Sequence, residues 1–294
     1  MVQIIPALAS IAARYEVLFC DLWGCLHNGH APYPAAVAAL QAFRARGGRV
    51  VLLTNAPRPA RFVEAALARM GTPRDAWDLI VSSGDAAQYA MLSGAVGCNV
   101  WHLGPDKDDG FFTHLPDDLA DTPPIARVPF DDAEGIVCTG PFDESAEVPD
   151  DYRDRFLAAK ARGLKLLCAN PDLVVDYGDR RIYCAGALAE LYDRMGGTSL
   201  YFGKPHAPIY DLARRRLAAL TGATPDPAAI LAIGDGIATD IQGAAAEAID
   251  ALFVTGGLAA DAFGPDAENP DPAKLRPWLA RQAGAPAYAI GRLR

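Results

Sequence analysis

Five short apolar runs punctuate the chain, each followed by polar residues. They are Val17–Cys20, residues 50–53, Leu79–Ser82, residues 230–233 and residues 251–254. Runs of this length with no polar alternation predict strands buried on both faces, as in a parallel sheet. Between several of them the apolar positions take helical spacing. Residues 34–46 begin at Pro34 and end at Gly47-Gly48, residues 59–70 end at Gly71, and residues 207–220 carry Arg214, Arg215 and Arg216 on one side. Pro at a helix start and Gly at its end suit those positions physically. The alternation predicts a doubly wound, Rossmann-like α/β core.

The middle of the chain follows a second rhythm. It predicts a helix over 85–92, strands Asn99–Leu103 and Gly135–Cys138, a helix over 150–162, a strand over 164–169 and a helix over 187–195. Residues 106–129 are rich in Asp and Pro and read as loop. The expected organisation is a core of residues 1–83 and 198–294, with an α/β domain of residues 84–197 inserted. The first residues read as a short helix, since they lack the basic start of a signal peptide.

Composition narrows the classes. The 294 residues are 51% hydrophobic and 21% charged, a globular balance. The net charge is −9 and no Lys/Arg stripe occurs, which argues against a nucleic-acid partner. No apolar stretch is long enough to span a membrane, so no membrane partner is expected. Six scattered cysteines with no CxxC pair read as reduced core thiols of a cytoplasmic protein.

Candidate chemistry lies where three apolar runs end. The first gives Asp21, the second Thr54-Asn55, and the fourth Gly234-Asp235-Gly236 followed by Thr239-Asp240. Open α/β sheets bind ligands at the carboxyl ends of their strands. Singly, each tip is an ordinary turn or helix cap. Together, Asp21, Asp235 and Asp240 would repel one another unless a cation offset them. Mg²⁺ suits oxygen ligands and bridges to phosphate. A carboxylate beside it can attack phosphorus, and a lysine such as Lys204, in GKP, could neutralise developing charge.

Asp21 in DLWG, Thr54-Asn55, Lys204 in GKP and Asp235/Asp240 in GDGIATD resemble, in order, the four motifs of the haloacid dehalogenase superfamily. The large insert resembles the α/β cap of its NagD-like branch, as do YPAAVAAL, SSGDAAQY, CANPDLV and VTGGL. The resemblance implies a Mg²⁺-dependent phosphatase of a small phosphorylated metabolite, such as a sugar phosphate or nucleotide monophosphate. Asp21 would be the nucleophile and a metal ligand, the Trp23 carbonyl a second ligand and Asp235 a third. Asp240 would support the metal or orient Lys204, while Thr54 and Lys204 hold the phosphoryl group. Asn170 and Asp172 would face substrate. Arg58 is a candidate for an anionic substrate group, set against its reading as a surface arginine. The oligomeric state stays open, a homodimer included.

One position departs from the pattern. Phosphatases of this superfamily usually carry Asp two residues after the nucleophile, as general acid and base. Here stands Trp23, whose indole N–H only donates. General acid–base help is worth ~10²–10⁴-fold. Three readings compete: a phosphatase that replaces the acid (His27 and His206 are nearby candidates) or uses good leaving groups; a weakened phosphometabolite-binding or regulatory protein; and a 2-haloacid dehalogenase. Dehalogenases carry an aromatic here but need no GDxxxTD cluster.

Overall fold

The computed structural model describes residues 2–116, 119, 122–177 and 180–294, with backbone only at 176, 177 and 180. The chain forms two compact units. The first comprises residues 1–54, 64–81 and 210–294, the second residues 55–63 and 82–209.

The first unit is built on a seven-stranded sheet. Its order is Gln3–Ile4, Tyr288–Ile290, Asp250–Val254, Ile230–Gly234, Val17–Cys20, Arg49–Thr54 and Leu79–Ser82. Pairing is parallel from Gln3–Ile4 through to Arg49–Thr54. Val17–Cys20 is buried at all four positions and so is Ile230–Gly234 at all five, as an unbroken apolar run requires when helices cover both faces. From Val17–Cys20 the chain winds outward to Arg49–Thr54 and Leu79–Ser82. From Ile230–Gly234 it winds the other way, to Asp250–Val254 and Tyr288–Ile290. These two central strands are neighbours, so the topological switch point lies at their carboxyl ends. Helix Pro34–Ala45 opens with Pro34 and gives way to Gly47 at φ 95°. Proline needs no amide partner in a first turn, and glycine takes the left-handed conformation that ends a helix.

The N-terminal reading is corrected. Instead of one short helix, Gln3–Ile4 is an edge strand followed by 3₁₀ turns at Leu8–Ser10 and Ala12–Arg14. Two residues are too few to show a period, and pairing with Tyr288–Ile290 decides their conformation.

The second unit has a five-stranded parallel sheet ordered Thr198–Tyr201, Lys165–Cys168, Gly135–Cys138, Asn99–Leu103 and Ala126–Arg127. Its side chains alternate between two cores. Trp101, Leu103, Ile136, Cys138, Leu166 and Cys168 pack on one face with Phe156, Leu188 and Tyr192. Val100, Val137 and Leu167 pack on the other with Ala87, Met91 and Phe111. Thr198–Tyr201 pairs with Lys165–Cys168, so this unit runs on past residue 197, where the inserted domain was expected to end. An antiparallel hairpin, Val174–Tyr177 with Arg180–Tyr183, was not anticipated. The expected loop over 106–129 contains helix Gly110–Thr113 and strand Ala126–Arg127, both too short to set a pattern. Residues 117, 118, 120 and 121 of that stretch lie outside the described residues.

The SSGD stretch is a helix start. Ser82 Oγ accepts from the Asp85 amide at 3.0 Å, and Asp85 Oδ2 accepts from the Ser82 amide at 3.1 Å. This reciprocal pair satisfies two otherwise orphaned donors of helix Ser83–Leu92.

Candidate active site

In the first unit the two central strands deliver Asp21 and Asp235 to the switch point. The Asp21 amide donates to the Ile233 carbonyl at 2.8 Å, tying the two strand ends together. Asp21 and Asp235 are 9% and 6% exposed. Their carboxylate oxygens and the Cys25 Sγ all lie within 4.8 Å of one another. Among the described residues this is the one cluster of three or more His, Cys, Asp or Glu side chains so close. Two buried carboxylates at that distance strongly favour a divalent cation between them.

The backbone around Asp235 is shaped for its carboxylate. Asp235 Oδ2 accepts from the Leu258 amide at 2.9 Å. Gly24 has φ 70°, and a Cβ there would lie 2.0 Å from Asp235 Oδ2, as would one at Gly257. Asp240 sits in a wide π-type turn, Ile237–Ile241, and its Oδ2 accepts from the Gly236 amide at 3.0 Å. Turns of this kind are frequent at functional sites. Thr54 ends its strand and is 3% exposed. These residues, together with Asp21 and Trp23, belong to the first unit.

Trp23 is half-buried and folds back over its own loop. Its ring stands edge-on to His27, with centroids 5.3 Å apart, and a Cβ on Gly29 would lie 2.3 Å from the indole Cη2. Gly29, at φ 87°, admits the indole where no other residue would. His27 is 4% exposed, and its Nδ1 accepts from the Gly29 amide at 3.0 Å. Burial lowers its pKa to about 4, which favours the neutral imidazole at pH 7. His206 stacks on Tyr201 at 4.9 Å, and burial lowers its pKa as well.

The second unit gathers Asn55, Asn170, Asp172 and Lys204. Asn55 Nδ2 donates to Asp172 Oδ1 at 2.8 Å and to the Lys204 carbonyl at 3.0 Å, while Asn55 Oδ1 accepts from the Lys204 amide at 2.7 Å. Asn170 Oδ1 accepts from the Asp172 amide at 3.0 Å. Asn55 therefore clamps the main chain of the lysine segment, a positioning role that spacing alone did not reveal. Arg58 stands apart from this group, with Nε 3.6 Å from Asp108 Oδ1. Asp108 is 1% exposed, and burial raises its pKa to about 6 against the pull of Arg58. The Arg58 side chain keeps 39% exposure, in line with a surface arginine, and its Asp108 partner is an addition to the sequence reading.

Sequence reasoning missed Cys25. It counted as a small hydrophobe, yet it stands four residues after Asp21 with its sulfur toward two carboxylates. The spacing DxxxC was the available signal.

Comparison with known proteins settles the family. A family model described as haloacid dehalogenase-like hydrolase matches residues 18–114, and one described as HAD-hydrolase-like matches residues 201–275. The crystal structure of a hydrolase of the haloacid dehalogenase-like family from Brucella suis 1330 is 37% identical, covers 98% of this chain and 99% of its own, and superposes with a TM-score of 0.84. This chain belongs to the haloacid dehalogenase-like hydrolases. Members more distant in sequence share the fold. The 4-nitrophenylphosphatase of Thermotoga maritima is 16% identical over 95% of each chain, with a TM-score of 0.68. The glycerol phosphate phosphatase of Mycobacterium tuberculosis, solved with magnesium, is 24% identical over 90% of this chain and 74% of its own, with a TM-score of 0.64. A search of curated proteins finds no match.

Proposed function

We propose that this hydrolase is a Mg²⁺-dependent phosphomonoesterase of the NagD-like kind, acting on a small phosphorylated metabolite through an aspartyl phosphate on Asp21. The observation that carries the reading is the convergence of the Asp21 and Asp235 carboxylates at the switch point. Asp21, Asp235 and the Trp23 carbonyl would hold the cation, with Asp240 behind them. Bound there, Mg²⁺ supplies positive charge to the oxygens of the transferring phosphoryl group. The magnesium-bound phosphatase of the same fold supports that choice of ion.

The chain's own residues then do the following. An Asp21 carboxylate oxygen bonds to phosphorus as the P–O bond to the leaving group breaks. The leaving oxygen keeps the electron pair and takes its proton from water, because Trp23 stands where a carboxylic acid would offer one. Water then attacks the phosphorus of the acyl phosphate and releases phosphate, restoring Asp21. Thr54 and Lys204 are assigned to the phosphoryl oxygens. The second unit is read as the cap, with Asn170 and Asp172 as substrate-selecting residues. A missing acid makes the rate sensitive to the leaving group, so aryl and other acidic leaving groups are preferred.

Release of p-nitrophenol from p-nitrophenyl phosphate tests the reading. Wild type should be active with Mg²⁺ and inactive with a chelator, and Asp21→Asn should lose at least ~10³-fold. No Mg²⁺-dependent release above the Asp21→Asn background would overturn it. Thermal stabilisation by phosphometabolites without turnover would then favour a binding protein.

A further inference from the structure

Asp21 and Asp235 offer oxygen alone, the donor type that suits Mg²⁺. Cys25 adds sulfur to the same cluster. Its side chain is 0% exposed, and among the described residues its thiol has no hydrogen-bond partner. Its surroundings are not those of a core cysteine. Its sulfur lies within 4.8 Å of a carboxylate oxygen of both Asp21 and Asp235. A buried, unpartnered thiol facing two carboxylates is an arrangement that a cation would relieve.

The distances fit. Zinc bonds of about 2.0–2.3 Å to oxygen and sulfur need donors roughly 3.5 Å apart. The three donors already lie within 4.8 Å of one another, so little more than ~1 Å of closure is required. Thiolate selects zinc and other soft ions, whereas carboxylate alone does not.

We propose that Cys25 Sγ is a third side-chain donor beside Asp21 and Asp235, and that the site thereby takes thiophilic divalent ions, Zn²⁺ above all, in competition with Mg²⁺. The inference rests on the reading of Asp21 and Asp235 as cation ligands. Binding exchanges the S–H bond for a Zn–S bond, and the proton leaves to the buffer. No electron is transferred. Zinc held in this way would occupy the place of Mg²⁺, so zinc supply would set the active fraction of the enzyme.

The test uses the full chain and does not depend on turnover. X-ray absorption at the zinc edge, with one equivalent of Zn²⁺, should show one sulfur neighbour at about 2.3 Å in wild type. Cys25→Ser should show oxygen and nitrogen neighbours only. Calorimetric titration should find the Zn²⁺ affinity of Cys25→Ser reduced ~10-fold or more, with Mg²⁺ affinity changed less than ~3-fold. If Cys25→Ser does not fold, Asp235→Asn should abolish the same sulfur signal. An oxygen-only shell in wild type overturns the proposal, as does a sulfur signal that persists in Cys25→Ser. A sulfur signal without any Mg²⁺-dependent hydrolysis overturns the phosphatase reading instead and leaves this one standing.

Discussion

Two places after Asp21, the indole of Trp23 occupies the position of an acid, and its own loop accommodates the ring. Gly29 leaves room for the ring, and His27 packs against its edge. Replacing Trp23 with Asp restores a group able to protonate a leaving alcohol. We expect Trp23→Asp to raise kcat/KM for an alkyl phosphate relative to p-nitrophenyl phosphate by ~10–100-fold, read from paired steady-state assays. An unchanged ratio would show that the missing acid does not limit the rate. His27 gives a pH signature. The unfolded chain takes up its proton from about pH 6.5 downward, whereas the folded protein does so only near pH 4. Stability is therefore lost as pH falls through that window, by on the order of 3 kcal/mol. Thermal melts from pH 7 to 4 should show the decline, and His27→Gln should flatten it.

The strand tip and the turn that follows it form the working element. A strand buried on both faces ends at Cys20. The turn after it returns the chain, with the Gly24 amide donating to the His27 carbonyl at 3.0 Å and the His27 amide to the Leu22 carbonyl at 3.0 Å. Gly24→Ala introduces a side chain at φ 70° and 2.0 Å from Asp235 Oδ2. The expected cost is ~1–3 kcal/mol, seen in urea unfolding, together with weakened Mg²⁺ binding in calorimetry. A variant with wild-type stability and affinity would contradict the cradle. Elements of this size were legible in the sequence where the apolar run was four or more residues long, as at Val17–Cys20, Leu79–Ser82 and Gly135–Cys138. Strands Gln3–Ile4 and Tyr288–Ile290 were not, because two or three residues carry no period, and the only strand beside Gln3–Ile4 in the sheet lies at the far end of the chain. The Asp21 and Asp235 tips were legible because each follows an apolar run. Cys25 was not, because a thiol reads as apolar until its neighbours are known, and the Arg58–Asp108 pair depends on a fold-back that spacing does not encode.

At the scale of the molecule, the residues assigned by the resemblance divide between two units. Asp21, Trp23, Thr54, Asp235 and Asp240 belong to the first, and Asn55, Arg58, Asn170, Asp172 and Lys204 to the second. The division falls between Thr54 and Asn55, consecutive in the chain, and Asn55 holds the main chain of Lys204. No helix among the described residues is long and apolar enough to cross a membrane. The family is established by a relative 37% identical over nearly all of the chain. The proposed chemistry begins at Asp21. Acid-quenched turnover of p-nitrophenyl phosphate with Mg²⁺, followed by peptide mass mapping, tests it most directly. A phosphoryl group on Asp21, absent from Asp21→Asn, is the predicted result. Phosphate release with the phosphoryl group on another residue, or undiminished in Asp21→Asn, would contradict it.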